Sequence, residues 1–296
     1  IATLQGALQE KEKEFSSIVT IGRTELQPAV PITLGGIFSA FAEAIARDRW
    51  RTFKAEERLR TVNIGGTAVG TGLTAPRDYI FRVIEKLRSN SALGLMRAEQ
   101  VMDATSNADQ IVEASGMLNA LAVNLSKIAK DLRQMHFLGE IRLAPLQAGS
   151  SIMPAKVNPV VTEAIIQIAA KALANDKIVC DLAAQGTLQI NEYLPMIGFA
   201  MLESLSVLRN AVAMFARHAK QIEANAELCR KRFGENEAII TAFLPAWGYK
   251  RCEQAIIEYR ASGMASVRDY LYSVAGREIV DRILSPSNLM ALGYKD

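Results

Sequence analysis

Apolar residues recur every three or four positions along most of this chain, so the predicted elements are helices. The longest pattern covers 33–62, with Ile37, Phe38, Phe41, Ile45, Trp50, Phe53 and Leu59 mostly on one stripe. A second, over 110–133, carries Ile111, Ala114, Leu118, Leu121, Leu125, Ile128 and Leu132. Two more follow, over 159–184 and 196–223. Over 2–19 the apolar positions Leu4, Ala7, Leu8, Phe15, Ile18 and Val19 have no N-cap ahead of them, as in a helix entered partway along. A glycine-rich turn over 65–72 ends the long pattern, and Pro76 is placed to open the next helix.

Helices of this length with broad apolar faces belong to bundles rather than to helices packed on a parallel sheet. From about residue 225 the periodic stretches shorten, interrupted by Gly234, Pro245, Gly248, Gly263 and Gly276. The expected architecture is all-α: a long-helix central domain over 1–224 and a small helical domain over 225–296. No internal repeat or low-complexity segment is visible.

Composition narrows the function classes. A chain of 296 residues, half of them hydrophobic, can bury a substantial core. Its 34 basic and 31 acidic residues leave a net charge of only +3, and no basic run supports nucleic-acid or anionic-membrane binding. Cys180, Cys229 and Cys252 fit neither a disulfide framework nor a metal-ligand spacing, and are expected to be buried thiols in a reducing compartment. No uninterrupted apolar run approaches about 18 residues, and the first residues lack the pattern of a secretory signal. A soluble, cytoplasmic chain is expected.

The stretch richest in chemistry is Gly149-Ser150-Ser151-Ile152-Met153-Pro154-Ala155-Lys156-Val157-Asn158-Pro159. Glycine permits close backbone approach, and the two prolines keep the segment out of helix until its end. Two hydroxyls, an ammonium and a carboxamide are presented together, a set suited to a small carboxylate-bearing ligand. A serine there can act as base or nucleophile only where the site stabilises its alkoxide.

This run resembles the GSS-x-MP-x-K-x-N loop of the aspartase/fumarase superfamily. Gly22-Arg23-Thr24-Glu25-Leu26-Gln27-Pro28-Ala29-Val30-Pro31-Ile32-Thr33-Leu34-Gly35 resembles its GRT-H-x-Q-x-A-x-P-x-x-x-G segment, and Gly65-Gly66-Thr67-Ala68-Val69-Gly70-Thr71-Gly72 its G-x-TAVGTG turn. The tail Ile283-Leu284-Ser285-Pro286-Ser287-Asn288-Leu289-Met290 is similar to the closing ILxPxxM. The likeness runs in order from about residue 5 to about residue 292. It implies a helix-bundle central domain assembling into a homotetramer, with active sites built from three subunits and a dicarboxylate substrate. The family's N-terminal domain, with its TNDxxPT-type motif and substrate loop, has no counterpart here, so an N-terminal fragment or second polypeptide is expected to complete the fold.

By this resemblance Ser150 is the catalytic base, taking a proton from the carbon next to a carboxylate. Ser151 would donate to a substrate carboxylate, and Lys156 and Asn158 would bind the second one, joined by the Thr24 hydroxyl. No metal or organic cofactor is implied. Glu25 departs from the pattern, standing where many members carry histidine, and Glu163 matches the acid that pairs with that histidine. If both keep the family geometry, two carboxylates face each other, to share a proton as general acid or to hold a substrate ammonium. The alternative is that Glu25 points away and pairs with an arginine such as Arg23. A second departure is a shortened loop over 133–141, containing His136, whose position at a helix C-terminus suits a dipole partner better than an acid or base.

Asp103-Ala104-Thr105-Ser106-Asn107-Ala108-Asp109 is similar to the DATxxxD segment of aspartases. Gly186-Thr187-Leu188-Gln189-Ile190-Asn191 resembles a run shared by aspartases and fumarases. The expected activity is elimination of ammonia from aspartate or a relative to give fumarate. A fumarase-like or other C4-dicarboxylate lyase is the alternative, and a silent paralogue retained for assembly is a third.

Overall fold

The computed structural model describes residues 1–154 and 156–294, and it is all-α in character. In chain order the first elements are α1 (Ala2–Glu14), β1 (Val19–Thr24), β2 (Gln27–Thr33), α2 (Leu34–Arg58), β3 (Thr61–Val62), α3 (Arg77–Ser91) and β4 (Met96–Arg97). Then come α4 (Val101–Ser106), α5 (Asp109–Phe137), β5 (Ile141–Arg142), α6 (Val160–Ala183), α7 (Leu194–Ala219) and β6 (Glu223–Ala224). The chain closes with α8 (Ala226–Glu235), a 3₁₀ segment (Glu237–Phe243), α9 (Leu244–Ser262), α10 (Val267–Ala275), α11 (Arg277–Ile283) and α12 (Pro286–Leu289). Two compact units emerge. One comprises Ile1–Ala2, Ala44–Lys130 and Val160–Phe215, the other Thr3–Glu43, Asp131–Pro159 and Ala216–Asp296.

The first unit contains most of the long-helix residues. Ala108, Val179, Ile197 and Ala200 form a buried cluster, with Ile111, Ile178 and Leu182 packed against it. Buried polar groups fix the helices in register. The Asp176 carboxylate accepts from Ser115 Oγ at 2.6 Å and Asn119 Nδ2 at 2.5 Å. Asp48, fully buried, accepts from Arg51 at 2.6 Å and Asn124 at 2.8 Å. Leaving either carboxylate unpaired would cost several kcal/mol, so the bonds from Ser115, Asn119 and Asn124, which cross between helices, also specify which helix faces meet.

Over α7 mean hydropathy reaches 1.3, so by length and composition it could cross a membrane, although Glu203 and Arg209 interrupt its apolar run. A core helix of a soluble protein meets the same criteria, and 44% of that stretch is buried within the chain.

The second unit contains a feature absent from the sequence expectation, an antiparallel β-hairpin of β1 and β2 with a bulge at Gly22/Arg23. The pattern over 2–19 therefore ends as helix at Glu14, and Val19 already belongs to β1. The hairpin leads into α2, where Gly35 is required by close approach: a Cβ there would lie 2.6 Å from the Glu12 carbonyl and 2.7 Å from the Ser16 Cα. Phe15 and Phe38 meet edge to face, ring centres 5.2 Å apart, in the same corner.

Ile21 of the hairpin is buried in one cluster with Phe233, Ile239, Phe243, Leu271 and Val280 of the later helices. Among the expected breaks, Pro245 lies in the first turn of α9, Gly248 kinks it and Gly263 caps it in a left-handed conformation. Gly234, by contrast, lies within α8 rather than ending it. Cys229 and Cys252 are buried as expected. Cys180 is exposed, because its position on α6 falls outside the buried stripe of Ala169, Ala172 and Val179.

Candidate active site

The serine loop is a closed turn held by its own backbone. The Gly149 N–H donates to the Lys156 carbonyl at 2.9 Å, and Lys156 N–H to the Met153 carbonyl at 3.2 Å. Asn158 Nδ2 donates to the Gly149 carbonyl at 3.2 Å, bracing the point where the loop closes. Ala155 lies outside the described residues. Within this turn the Ser150 Oγ accepts two backbone N–H groups, from Ile152 at 3.2 Å and Met153 at 3.1 Å. Donors aimed at a hydroxyl oxygen stabilise its ionised form. They also mark the local turn that a serine can nucleate by itself.

The loop borders a concavity of about 470 Å³ lined by Pro145, Leu146, Ser150, Met153, Lys156 and Val157, among others. Ser150 and Lys156 thus line one space, and Ser151, next in the chain, is exposed. A slightly larger concavity of about 500 Å³ in the other unit is lined mainly by apolar residues such as Leu118, Leu121, Leu202 and Leu205. It contains no acid-base pair, so the serine loop is the better candidate.

Thr24 and Glu25 lie at the hairpin tip, both exposed. The two-residue connection, Glu25-Leu26, has φ of 51° and 65°. Both residues are held in the left-handed region that such a turn demands, where asparagine and glycine are the comfortable choices. A Glu-Leu pair in that geometry stores of order 1–2 kcal/mol per residue, and retained strain of this kind gathers at functional sites. Arg23 does not pair with Glu25. Its guanidinium grips Glu140, Nη2 to Oε1 at 2.7 Å and Nη1 to Oε2 at 3.2 Å.

Glu163 lies in the first turn of α6, partly buried, and belongs to the other compact unit. The structure therefore brings Ser150, Ser151, Lys156 and Asn158 together in one loop, and places Thr24 and Glu25 in the same unit. His136, in the last turn of α5, has Nδ1 3.4 Å from both the Ile141 carbonyl and the Leu143 N–H. Its ring braces the chain leaving the helix. Among the described residues no group of three or more His, Cys, Asp or Glu is arranged to hold a metal ion.

A lyase family model matches residues 1–174, more than half of the chain. Aspartate ammonia-lyase of Bacillus subtilis is 39% identical over 298 residues, covering 98% of this chain and 62% of its own length. The enzyme of the same name from Escherichia coli is 38% identical over 303 residues, all of this chain and 63% of its own. This chain belongs to the aspartase/fumarase superfamily.

Solved structures in the superfamily agree. A fumarate lyase:delta crystallin from Brucella melitensis bound to cobalt superposes with a TM-score of 0.90 at 37% identity, covering 99% of this chain and 65% of that one. The class II fumarase of Schistosoma mansoni, at 24% identity and a TM-score of 0.83, shares the fold. The superfamily chain described here thus spans about 62% of the length of the relatives it matches. Sequence reasoning singled out Ser150, Ser151, Lys156, Asn158, Thr24 and Glu25, but not the hairpin that carries the last two. It missed the two N–H donors on Ser150, which depend on backbone directions, and the Arg23–Glu140 pair. A glutamate three residues past the end of α5 was the available signal for that pair, since an acid there must find a partner if buried.

Proposed function

We propose that this chain forms the core of a carbon–nitrogen lyase that removes ammonia from aspartate, or a close amino-dicarboxylate, to give fumarate. The observation that carries the proposal is Ser150, whose Oγ receives two backbone N–H groups and which lines one concavity with Lys156. Ser150, as alkoxide, takes the proton from the carbon adjacent to a carboxylate. The electron pair left behind delocalises into that carboxylate as an aci-carboxylate, stabilised by Ser151 and by the loop's donors. Collapse of this intermediate forms the C=C bond and expels the amine from the neighbouring carbon.

Lys156 holds the second carboxylate as a point charge, while Asn158 and Thr24 direct hydrogen bonds to it. One Asn158 N–H is engaged with Gly149, which leaves the other to donate to the substrate carboxylate. Glu25 holds the substrate ammonium, which leaves as ammonia, a task that suits a carboxylate better than release of a hydroxyl. The same reading includes assembly as a homotetramer with shared sites, and completion of each site by a segment outside residues 1–296. The test is fumarate formation, followed by its ultraviolet absorbance, with aspartate, N-substituted aspartates and malate supplied in turn to the complete oligomer. Turnover of aspartate ahead of malate supports the proposal, and no turnover of any amino-dicarboxylate overturns it.

A further inference from the structure

Glu140 is buried, with 2% of its surface exposed, and it takes no part in the chemistry above. Its carboxylate accepts from both ends of the Arg23 guanidinium and from Thr20 Oγ1 at 3.2 Å. Its backbone carbonyl accepts from the Asn225 N–H at 2.9 Å. Arg23 immediately precedes Thr24, and from Glu140 the chain runs directly through β5 to Pro145 at the rim of the serine-loop concavity. One buried carboxylate thus ties the stem of the strained hairpin to the segment that enters the serine loop. All these residues belong to one compact unit.

Burying a glutamate is costly unless it is fully bonded, and a bidentate guanidinium contact supplies direction as well as charge. Without that anchor, nothing in the local sequence favours the left-handed turn at Glu25-Leu26. The charge is felt nearby: burial first, then Glu140, push the Cys229 thiol up to about 11, which leaves it inert.

We propose that Glu140 is a positioning residue, which through Arg23 holds the hairpin tip in the geometry in which Thr24 and Glu25 meet substrate. This rests on the proposed roles of those two residues, so the test has one readout that needs no turnover. In the full-length protein, Glu140→Gln should speed hydrogen exchange of the amides from Thr24 to Gln27 about tenfold and lower kcat/KM by a similar factor, in part through a raised KM. Arg23→Gln should give a like loss. The double variant should lose no more than either single one, because the two residues act as one unit. Arg142→Gln, which breaks the exposed pair with Glu223 on the neighbouring strand, is the control and should leave both readouts unchanged.

Unchanged exchange in Glu140→Gln overturns the clasp outright. Faster exchange with unchanged kcat/KM overturns its role in positioning. Additive losses in the double variant also count against it. Should the parent protein turn over no dicarboxylate, the proposed lyase activity falls, while the exchange measurement still decides whether Glu140 holds the tip.

Discussion

Gly149 is where the serine loop closes most tightly, and Gly149→Ala is the sharpest perturbation of its geometry. A Cβ at this position would sit 2.4 Å from the Lys156 carbonyl oxygen, 2.8 Å from its carbon and 3.2 Å from the Asn158 nitrogen. Ordinary contact needs about 3.4 Å or more, so the Lys156 backbone must retreat by about 1 Å. All three obstructing atoms are backbone, so no side-chain rotation relieves the clash. The retreat stretches the Gly149–Lys156 bond of 2.9 Å and the Asn158–Gly149 bond of 3.2 Å. Each is worth about 0.5–1.5 kcal/mol.

Because the loop is largely exposed, the strain relaxes locally, and global stability should fall by about 1 kcal/mol at most. Activity should suffer more. Displacing a proton-transfer group and a carboxylate-binding ammonium by about 1 Å costs on the order of a hundredfold in rate. The assay is kcat/KM for fumarate formation alongside a thermal melt. Near-normal kcat/KM with an unshifted melt would show that the closed turn is not the working geometry.

Glu25→Gln, which removes the anionic charge but keeps the shape, should weaken binding of amine substrates, read as a raised KM; an unchanged KM would remove Glu25 from the mechanism. Leu26→Gly should raise stability by about 0.5–1 kcal/mol by relieving the positive φ, read as a higher urea midpoint, and a lower midpoint would contradict the strain assigned to the turn. His218 is 3% exposed, and neither ring nitrogen has a hydrogen-bond partner among the described residues. Burial first, then His136, lower its pKa. The unfolded chain therefore takes up a proton that the folded one resists, so stability is present above about pH 6.5 and is lost as pH falls below it. His218→Leu should flatten this dependence in urea titrations at neutral and mildly acidic pH, and an unchanged slope would assign the acid sensitivity elsewhere.

The long helices were legible because their apolar stripes persist for six or more turns, and α2, α5, α6 and α7 fall within a few residues of expectation. Their ends were less so: the pattern over 196–223 stops as helix at Ala219, since Ile222 continues the apolar stripe after the helix has ended. The hairpin was hidden for two reasons. Pro28 and Pro31 within β2 read against a strand, yet a two-stranded ladder has outer edges that tolerate them. Glu25-Leu26 carries none of the glycine or asparagine that announces a tight turn.

At the site, residue types were legible and geometry was not. Ser150, Lys156 and Asn158 stood out as polar groups in a glycine–proline loop. That the Ser150 hydroxyl receives N–H groups from Ile152 and Met153 depends on where two peptide planes point. Likewise Glu140 and Arg23 are far apart in sequence, and a pairing of that range leaves no periodic trace.

Replacing Ser150 with alanine in the complete assembled protein bears most directly on the proposed mechanism. With aspartate as substrate, kcat should fall by about a thousandfold or more, while a non-reacting dicarboxylate still binds through Lys156 and Asn158. Fumarate formed by Ser150→Ala at a rate close to that of the parent protein would contradict a serine base and the elimination built on it.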